Sequence, residues 1–395
     1  MTPVLRLVAN NISEGLSIGR FCWQTIGTLG LEPAMKMLPV SHCLVRSFES
    51  ELHLPFNISK GAVEKVANVL IAVTDAEGTT GIGEAAPFPV LTGDTQEIAL
   101  QAAKELAEEI KGLSPAAALE KLHNELWQSF SHAPSARTGV EIALWDLHAR
   151  QLSCPLWALW GRAGLKSATT DITLPCIPAA DVEHFWNCFS AHQFPYVKVK
   201  VGGGPLEDDV ARIMSLMTCT GRNLRISLDG NQGFQVESAK RLVFELVARK
   251  IEPLFFEQPL PEDDFSGMAR LSEMLPIPVC ADETVKTLND AIKVINDKCA
   301  RMINLKFMKS GVRESLLITE VARRCSIPLM IGGMVESEIA MTASLHAVCG
   351  TGAIQWSDLD TPFFLQKRPT VSSPYHRANA ELALPTGVGL GLTLA

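Results

Sequence analysis

The chain contains no run of 18 apolar residues, no cluster of lysine and arginine, and no Cys-x-x-Cys pair. Each absence argues against a class of protein. A membrane-crossing helix needs roughly 20 consecutive apolar residues, so no span is predicted. With a net charge of −8 and no basic stripe, no nucleic-acid partner is expected. The ten cysteines are scattered between positions 22 and 349 and match neither a zinc ribbon nor a compact disulfide framework. They read as small apolar core residues of a protein in a reducing compartment. What is present is ordinary for a globular protein, 47% hydrophobic and 20% charged, and 395 residues imply roughly two to three domains.

Residues 1–40 show no clear periodicity and no lysine- or arginine-led apolar segment, which argues against a secretory signal. They form an N-terminal extension of unknown role, either an organelle-targeting peptide or sequence upstream of a start at Met35 or Met37. A cytoplasmic location is expected, with an organelle as the alternative if residues 1–40 are a transit peptide.

From residue 42 the pattern becomes regular. "HCLVRSFESELHL" and "VANVLIAVTDAEGTTGIGEAAP" read as strands, with "DAEG" as a hairpin turn. "DTQEIALQAAKELAEEI" then takes up helical spacing, with Asp94 or Thr95 as its N-cap, and "ARTGVEIALWDLHARQL" repeats that spacing. This first part is α+β, an antiparallel sheet followed by helices.

Beyond about residue 170, short apolar segments alternate with helical ones: "TTDITLP", "YVKVKV", "LRISLD", "PLFFE", "IPVCAD", "RMINLK", "IPLMIG" and "GAIQWSD". The polar ends at 200, 229, 257, 282 and 306 are separated by 29, 28, 25 and 24 residues, close to the length of a βαβ unit. Eight such strands predict a closed parallel barrel. An open doubly wound sheet is the alternative, disfavoured because no Gly-x-Gly-x-x-Gly follows an early strand.

Each strand is apolar until its C-terminal end, where Lys200, Asp229, Glu257, Asp282, Lys306, and Asp358 with Asp360 appear. In a parallel barrel those ends converge on one mouth. A single Asp after a strand is ordinarily a cap or turn residue. Capping does not explain two lysines flanking three carboxylates. Asp229, Glu257 and Asp282, on consecutive strands, form an all-oxygen set suited to Mg²⁺, and no His or Cys joins them to favour zinc. Lys200 and Lys306 flank that set, as a 1,1-proton transfer requires: one amine removes an α-proton and the other returns one to the opposite face. The enediolate formed between those steps needs fixed positive charge, which the metal supplies.

The motifs "KVK" (198–200), "DGN" (229–231), "EQP" (257–259), "ADE" (281–283) and "LKFMKSGV" (305–312) together resemble the muconate-lactonizing-enzyme subgroup of the enolase superfamily. The resemblance runs from residue 42 to the end. It implies an α/β protein: a (β/α)7β TIM-like barrel over residues 166–365, with an α+β N-terminal capping domain over 41–165 completed by the C-terminal segment 366–395. Lys200 and Lys306 are then the acid/base pair, and Asp229, Glu257 and Asp282 hold one Mg²⁺ per subunit. Muconate cycloisomerases, o-succinylbenzoate synthases and N-acylamino-acid racemases share these parts. Dipeptide epimerases add an Asp-x-Asp pair after the eighth strand that binds the substrate's α-ammonium. "SDLDTP" supplies Asp358 and Asp360 there. Two carboxylates at a mouth repel unless a cation arrives, which favours a dipeptide over a dianionic substrate.

Lys198, one step deeper than Lys200 on the same strand face, reads as a partner of the substrate carboxylate that disfavours protonation of Lys200. Lys60 in "FNISKGA", Asn231 in "DGN" and Gly332 in "IGGMVESE" are further substrate-binding candidates. Glu336 is either a site residue or a helix cap. The expected activity is Mg²⁺-dependent epimerisation of a dipeptide, L-Ala-D/L-Glu or a related one, by a homo-oligomeric enzyme. A racemase or cycloisomerase is the alternative within the class, and a non-catalytic metal- and peptide-binding barrel the alternative outside it.

Overall fold

Three antiparallel strands, β1 (Val40–Ile58), β2 (Gly61–Asp75) and β3 (Thr80–Ala85), pair in the order β1-β2-β3. They belong to a computed structural model that describes residues 37–58, 61–221, 224–376 and 380–395. The predicted "DAEG" turn joins β2 to β3, where Asp75 Oδ1 accepts from the amides of Glu77 and Thr79, each at 2.9 Å. Helices α1 (Gln96–Ile110) and α2 (Pro134–Gln151) cover this sheet. Thr95 is the N-cap of α1, its side chain accepting from Ile98 N. Asp94 instead reaches across to the start of α2, accepting from Ser135 N at 3.2 Å and Ser135 Oγ at 2.5 Å. Sequence spacing offered either residue as the cap of α1; in the fold each caps a different helix.

Helix α2 is buried along nearly its whole length. Its contact with β3 depends on glycine: a Cβ on Gly83 would stand 2.1 Å from Gly139 O. That spacing lets the helix backbone lie directly on the strand.

The second unit begins with β4 (Ser167–Thr169), which pairs antiparallel with β13 (Glu381–Ala383) near the C-terminus. Eight parallel strands follow: β5 (Ile172–Leu174), β6 (Tyr196–Lys200), β7 (Arg225–Asp229), β8 (Phe256–Glu257), β9 (Val279–Ala281), β10 (Met302–Leu305), β11 (Leu329–Ile331) and β12 (Trp356–Ser357). Each falls inside one of the eight apolar segments of the sequence. They pair in sequential order, and a parallel bridge from Thr170 to Ser357 closes the ring between first and last. Helices α3 (Val182–Phe189), α4 (Leu206–Cys219), α5 (Val236–Ala248), α6 (Phe265–Met274), α7 (Leu288–Asn296), α8 (Val312–Arg324) and α9 (Glu338–Thr351) connect the strands. The fold is the predicted (β/α)7β barrel with an α+β cap. No described helix is long and apolar enough to cross a membrane, and the nine described cysteines are all free.

Two buried carboxylates of the cap tie it to the barrel. Glu141 on α2 accepts from Val312 N and Arg313 N, each at 2.8 Å, at the start of α8. Glu84 on β3 accepts from Ser337 N (2.9 Å), Ser337 Oγ (2.7 Å) and Ala340 N (3.1 Å) at the start of α9. A carboxylate at a helix N-terminus satisfies orphan amides and meets the positive end of the helix dipole, worth about 1 kcal/mol in each case. The loops after β10 and β11, which form one side of the barrel mouth, are thereby fixed against the cap. The C-terminal segment adds a third tie, since Asp146 on α2 accepts from Leu390 N at 2.7 Å.

Candidate active site

Alternation along the strands sorts the barrel interior into layers. Phe255, Cys280, Met302 and Met330 pack together as a hydrophobic plug with Trp356 against them. Moving toward the C-terminal ends of the strands, the inward residues become polar: Lys198 and Lys200 on β6, Asp229 at the end of β7, Glu257 at the end of β8, Asp282 after β9, and Asn304 and Lys306 around the end of β10. In register, Lys200 lies beside Asp229, and Asp229 beside Glu257.

The structure brings these groups into direct contact. Lys200 Nζ donates to Asp229 Oδ2 at 2.6 Å and to Asn231 Oδ1 at 2.9 Å. Lys306 Nζ stands 2.8 Å from Asp282 Oδ2 and 4.0 Å from Glu257 Oε1. Lys198 Nζ, one layer down, stands 3.3 Å from Glu257 Oε2 and 3.5 Å from Asp229 Oδ2, and also ion-pairs with Asp358. Lys198, Lys200, Lys306, Asn231, Asp358 and Asp360 all line one cleft of about 440 Å³, roofed in part by Phe88 and Leu91 from the cap. Gly332 lies under the same cleft. A Cβ there would come within 2.9 Å of Asp358 Oδ2 and 3.4 Å of Lys306 Cε. Lys60 and residues 1–36 lie outside the described residues.

The three predicted metal ligands are fully buried, and their charges act on one another. Burial, then Asp229 and Asp282, push the Glu257 carboxyl up to about 8, with Lys198 and Lys306 opposing. Burial would also raise Asp282, but Lys306 and Lys309 hold it well below the usual carboxylate range. Burial would lower Lys306, yet Asp282 and Glu257 keep it above the ordinary lysine value. An all-oxygen donor set on adjacent rigid strands fits a hard divalent cation. Crowding of the carboxylates raises Glu257, and a bound Mg²⁺ would relieve that repulsion.

A second acidic group closes the seam between first and last strands. Ligand oxygens of Asp171, Asp358 and Asp360 lie within 4.8 Å of one another. Asp360 Oδ2 accepts from Thr173 N at 2.5 Å, while Asp171 Oδ1 is buried without a hydrogen-bond partner. Burial and then Asp358 push the Asp360 carboxyl up to about 7. Burial, then Asp358 and Asp360, raise Asp171 well above the ordinary range. Period-two alternation predicted that Asp358 and Asp360 share a face. They do converge, but Asp360 reaches the cleft from the start of a 3₁₀ turn (Thr361–Phe364) and not from a strand.

Sequence reasoning passed over several residues that hold this arrangement. Asp171 immediately precedes β5, at the end opposite to the strand ends that drew attention in the sequence. Asn304 Nδ2 donates to Glu257 Oε1 at 2.7 Å, and its position two before Lys306 repeats the relation of Lys198 to Lys200. Lys309 Nζ, three residues beyond Lys306, meets Asp282 Oδ1 at 2.5 Å. Gln258 locks two loops together: its Oε1 accepts from Asp282 N and Thr284 N, and its Nε2 donates to Leu260 O. Gln258 (φ +31°) and Asn231 (φ +38°) occupy the left-handed region immediately beyond the ligand-bearing strands. Such backbone persists only where surrounding contacts over-determine it. Glu336, buried at the foot of α9, accepts from Met334 N at 2.9 Å, while the N-cap of α9 is Ser337.

Residues 42–161 match the family model for the mandelate racemase/muconate lactonizing enzyme N-terminal domain, and residues 182–395 that for the enolase C-terminal domain-like family. An aromatic dipeptide epimerase of Herpetosiphon aurantiacus is 34% identical over 341 residues, covering 86% of this chain and 95% of that protein. An L-Ala-D/L-amino acid epimerase of Populus trichocarpa is 34% identical over 333 residues, covering 82% of this chain and 78% of the other. Among solved structures, a dipeptide epimerase from Enterococcus faecalis V583, complexed with Mg and the dipeptide L-Leu-L-Tyr, superimposes with a TM-score of 0.85 at 27% identity. That superposition covers 90% of this chain and 100% of the other.

Proposed function

The chain belongs to the mandelate racemase/muconate lactonizing enzyme group of the enolase superfamily, and from that premise we propose that it is a Mg²⁺-dependent dipeptide epimerase. The reaction moves a proton off and back onto the α-carbon of the dipeptide's C-terminal residue. One observation carries the reading: Lys200 and Lys306 line the same cleft, each held by a carboxylate at opposite ends of the row Asp229, Glu257, Asp282.

Asp229, Glu257 and Asp282 would hold the metal, which when bound supplies fixed positive charge near the substrate carboxylate. The chain's own residues do the rest. Lys200 and Lys306, as neutral amine and ammonium in turn, exchange the α-proton on opposite faces of the carbon. Lys198 carries its charge beneath them and keeps Asp358 and Glu257 partly neutralised. Asp358 and Asp360 receive the α-ammonium, and Asp360 is oriented for this by Thr173 N. Gly332 lets the chain after β11 pack closely beneath Asp358 and Lys306, where a Cβ would crowd both, while Gly333 lines the cleft itself. A free α-ammonium also separates this reading from an N-acylamino-acid racemase, whose substrate would bring no cation to the seam.

Incubation with Mg²⁺ and L,L-dipeptides in D₂O is the test. Deuterium should enter the α-position of the C-terminal residue alone, with loss of stereochemical purity. Exchange with N-acyl amino acids and none with dipeptides would replace this assignment with the racemase one.

A further inference from the structure

Both ends of the cleft are charged, and the rest of its lining is largely apolar. Phe88 and Leu91, from the turn between β3 and α1, face the cleft together with Met334 and Val335 from the loop after β11 and Met341 from α9. No arginine lines it among the described residues. The lysines that do are committed: Lys198 to Asp358 and Glu257, Lys200 to Asp229, and Lys306 to Asp282. Among the described residues, a side-chain carboxylate brought here would find no uncommitted cation, and a buried unpaired charge is strongly disfavoured.

Resting on the dipeptide reading above, we propose that this enzyme acts on dipeptides with an apolar residue at the reacting position and discriminates against glutamate and lysine there. Such a substrate has its ammonium at Asp358 and Asp360 and its carboxylate on the metal side, so its side chains meet what lining is left. That lining matches them by removing apolar surface from water. Two of the five wall residues are methionines, whose unbranched, flexible chains repack around different apolar shapes. Met341 lies over the backbone of Gly333, where a Cβ would stand 2.3 Å from its terminal methyl carbon. The wall therefore selects for an apolar side chain in general, from leucine to phenylalanine, and not for one shape.

The experiment compares L-Ala-L-Leu, L-Ala-L-Phe, L-Ala-L-Glu and L-Ala-L-Lys as substrates of the Mg²⁺-loaded full chain, following α-deuterium incorporation. The value of kcat/KM for the leucine and phenylalanine peptides should exceed that for the glutamate and lysine peptides by at least about tenfold. Turnover of L-Ala-L-Glu at an equal or higher rate overturns the apolar assignment and leaves the epimerase reading standing. No exchange with any of the four overturns both. Leu91→Arg places a cation in the wall and should shrink the leucine-to-glutamate ratio by at least about tenfold. An unchanged ratio would remove Leu91, and with it the cap's share of the wall, from the determinants of specificity.

Discussion

Asp229, Glu257 and Asp282 are interleaved with lysines, whereas Asp171, Asp358 and Asp360 crowd together around one. In the first group Lys200, Lys198, Lys306 and Lys309 each contact at least one carboxylate. In the second, the ion pair found among the described residues is that of Lys198 with Asp358. Both groups are buried at the same barrel mouth, so the difference lies in charge balance and not in exposure. Interleaved cations hold Asp229 and Asp282 below the ordinary carboxylate range, which suits the divalent ion proposed for them. In the seam group, burial and neighbouring carboxylates raise Asp171 and Asp360 above that range, as burial and crowding raise Glu257 in the first. On the proposed function, the same residue type would serve two sites for two different cations.

Removing a base from the first group should have the largest effect. Lys306→Ala should slow epimerisation by at least about 10³-fold, within the range for loss of a positioned acid/base. Deuterium exchange should survive starting from one epimer and vanish from the other. Equal loss from both would show that the two lysines do not serve separate faces.

Changes in the second group should act on binding. Asp360→Asn should raise KM for dipeptides by roughly 10- to 100-fold, the usual loss when one hydrogen bond between charged groups goes, with a smaller change in kcat. In the unaltered enzyme KM should rise as pH falls through about 7, because Asp360, facing Asp358, Asp171 and Lys198, gains a proton and no longer attracts the ammonium. The Asn variant should lack that rise. A pH-independent KM in the unaltered enzyme would return Asp360 to a structural role.

The smallest effect should come from Asp171→Asn. Burial, Asp358 and Asp360 raise Asp171 well above the ordinary range, which favours its neutral form, and an amide is a close substitute for a neutral acid. KM should stay within about threefold. A tenfold rise would mean that all three seam carboxylates are charged, which would sharpen the contrast with the metal side.

The barrel and the strand-end residues were legible because strand alternation is local and each of β6 to β10 leads into a charged residue at its C-terminal end. Lys200, Asp229, Glu257, Asp282 and Lys306 announce themselves by breaking an apolar run. Asp171 and Asn304 do not, since a polar residue just before or inside a short strand looks like any other until the barrel closes and its face is known. Gln258 was hidden for a different reason. It follows a predicted ligand directly, but its work is to join two loops separated by 24 residues in sequence.

Taken alone, the sequence determined the element order, the inward face of each barrel strand, and which charges reach the mouth, because those properties follow from period two and chain direction. Tertiary structure decided how the charges pair. It set Lys198 between the two acidic groups, added Asp171 to the seam, and brought Phe88 and Leu91 over the cleft from another part of the chain. Pairing and roofing depend on distances between segments far apart in sequence, which exist only once the barrel has closed and the cap has docked through Glu84 and Glu141.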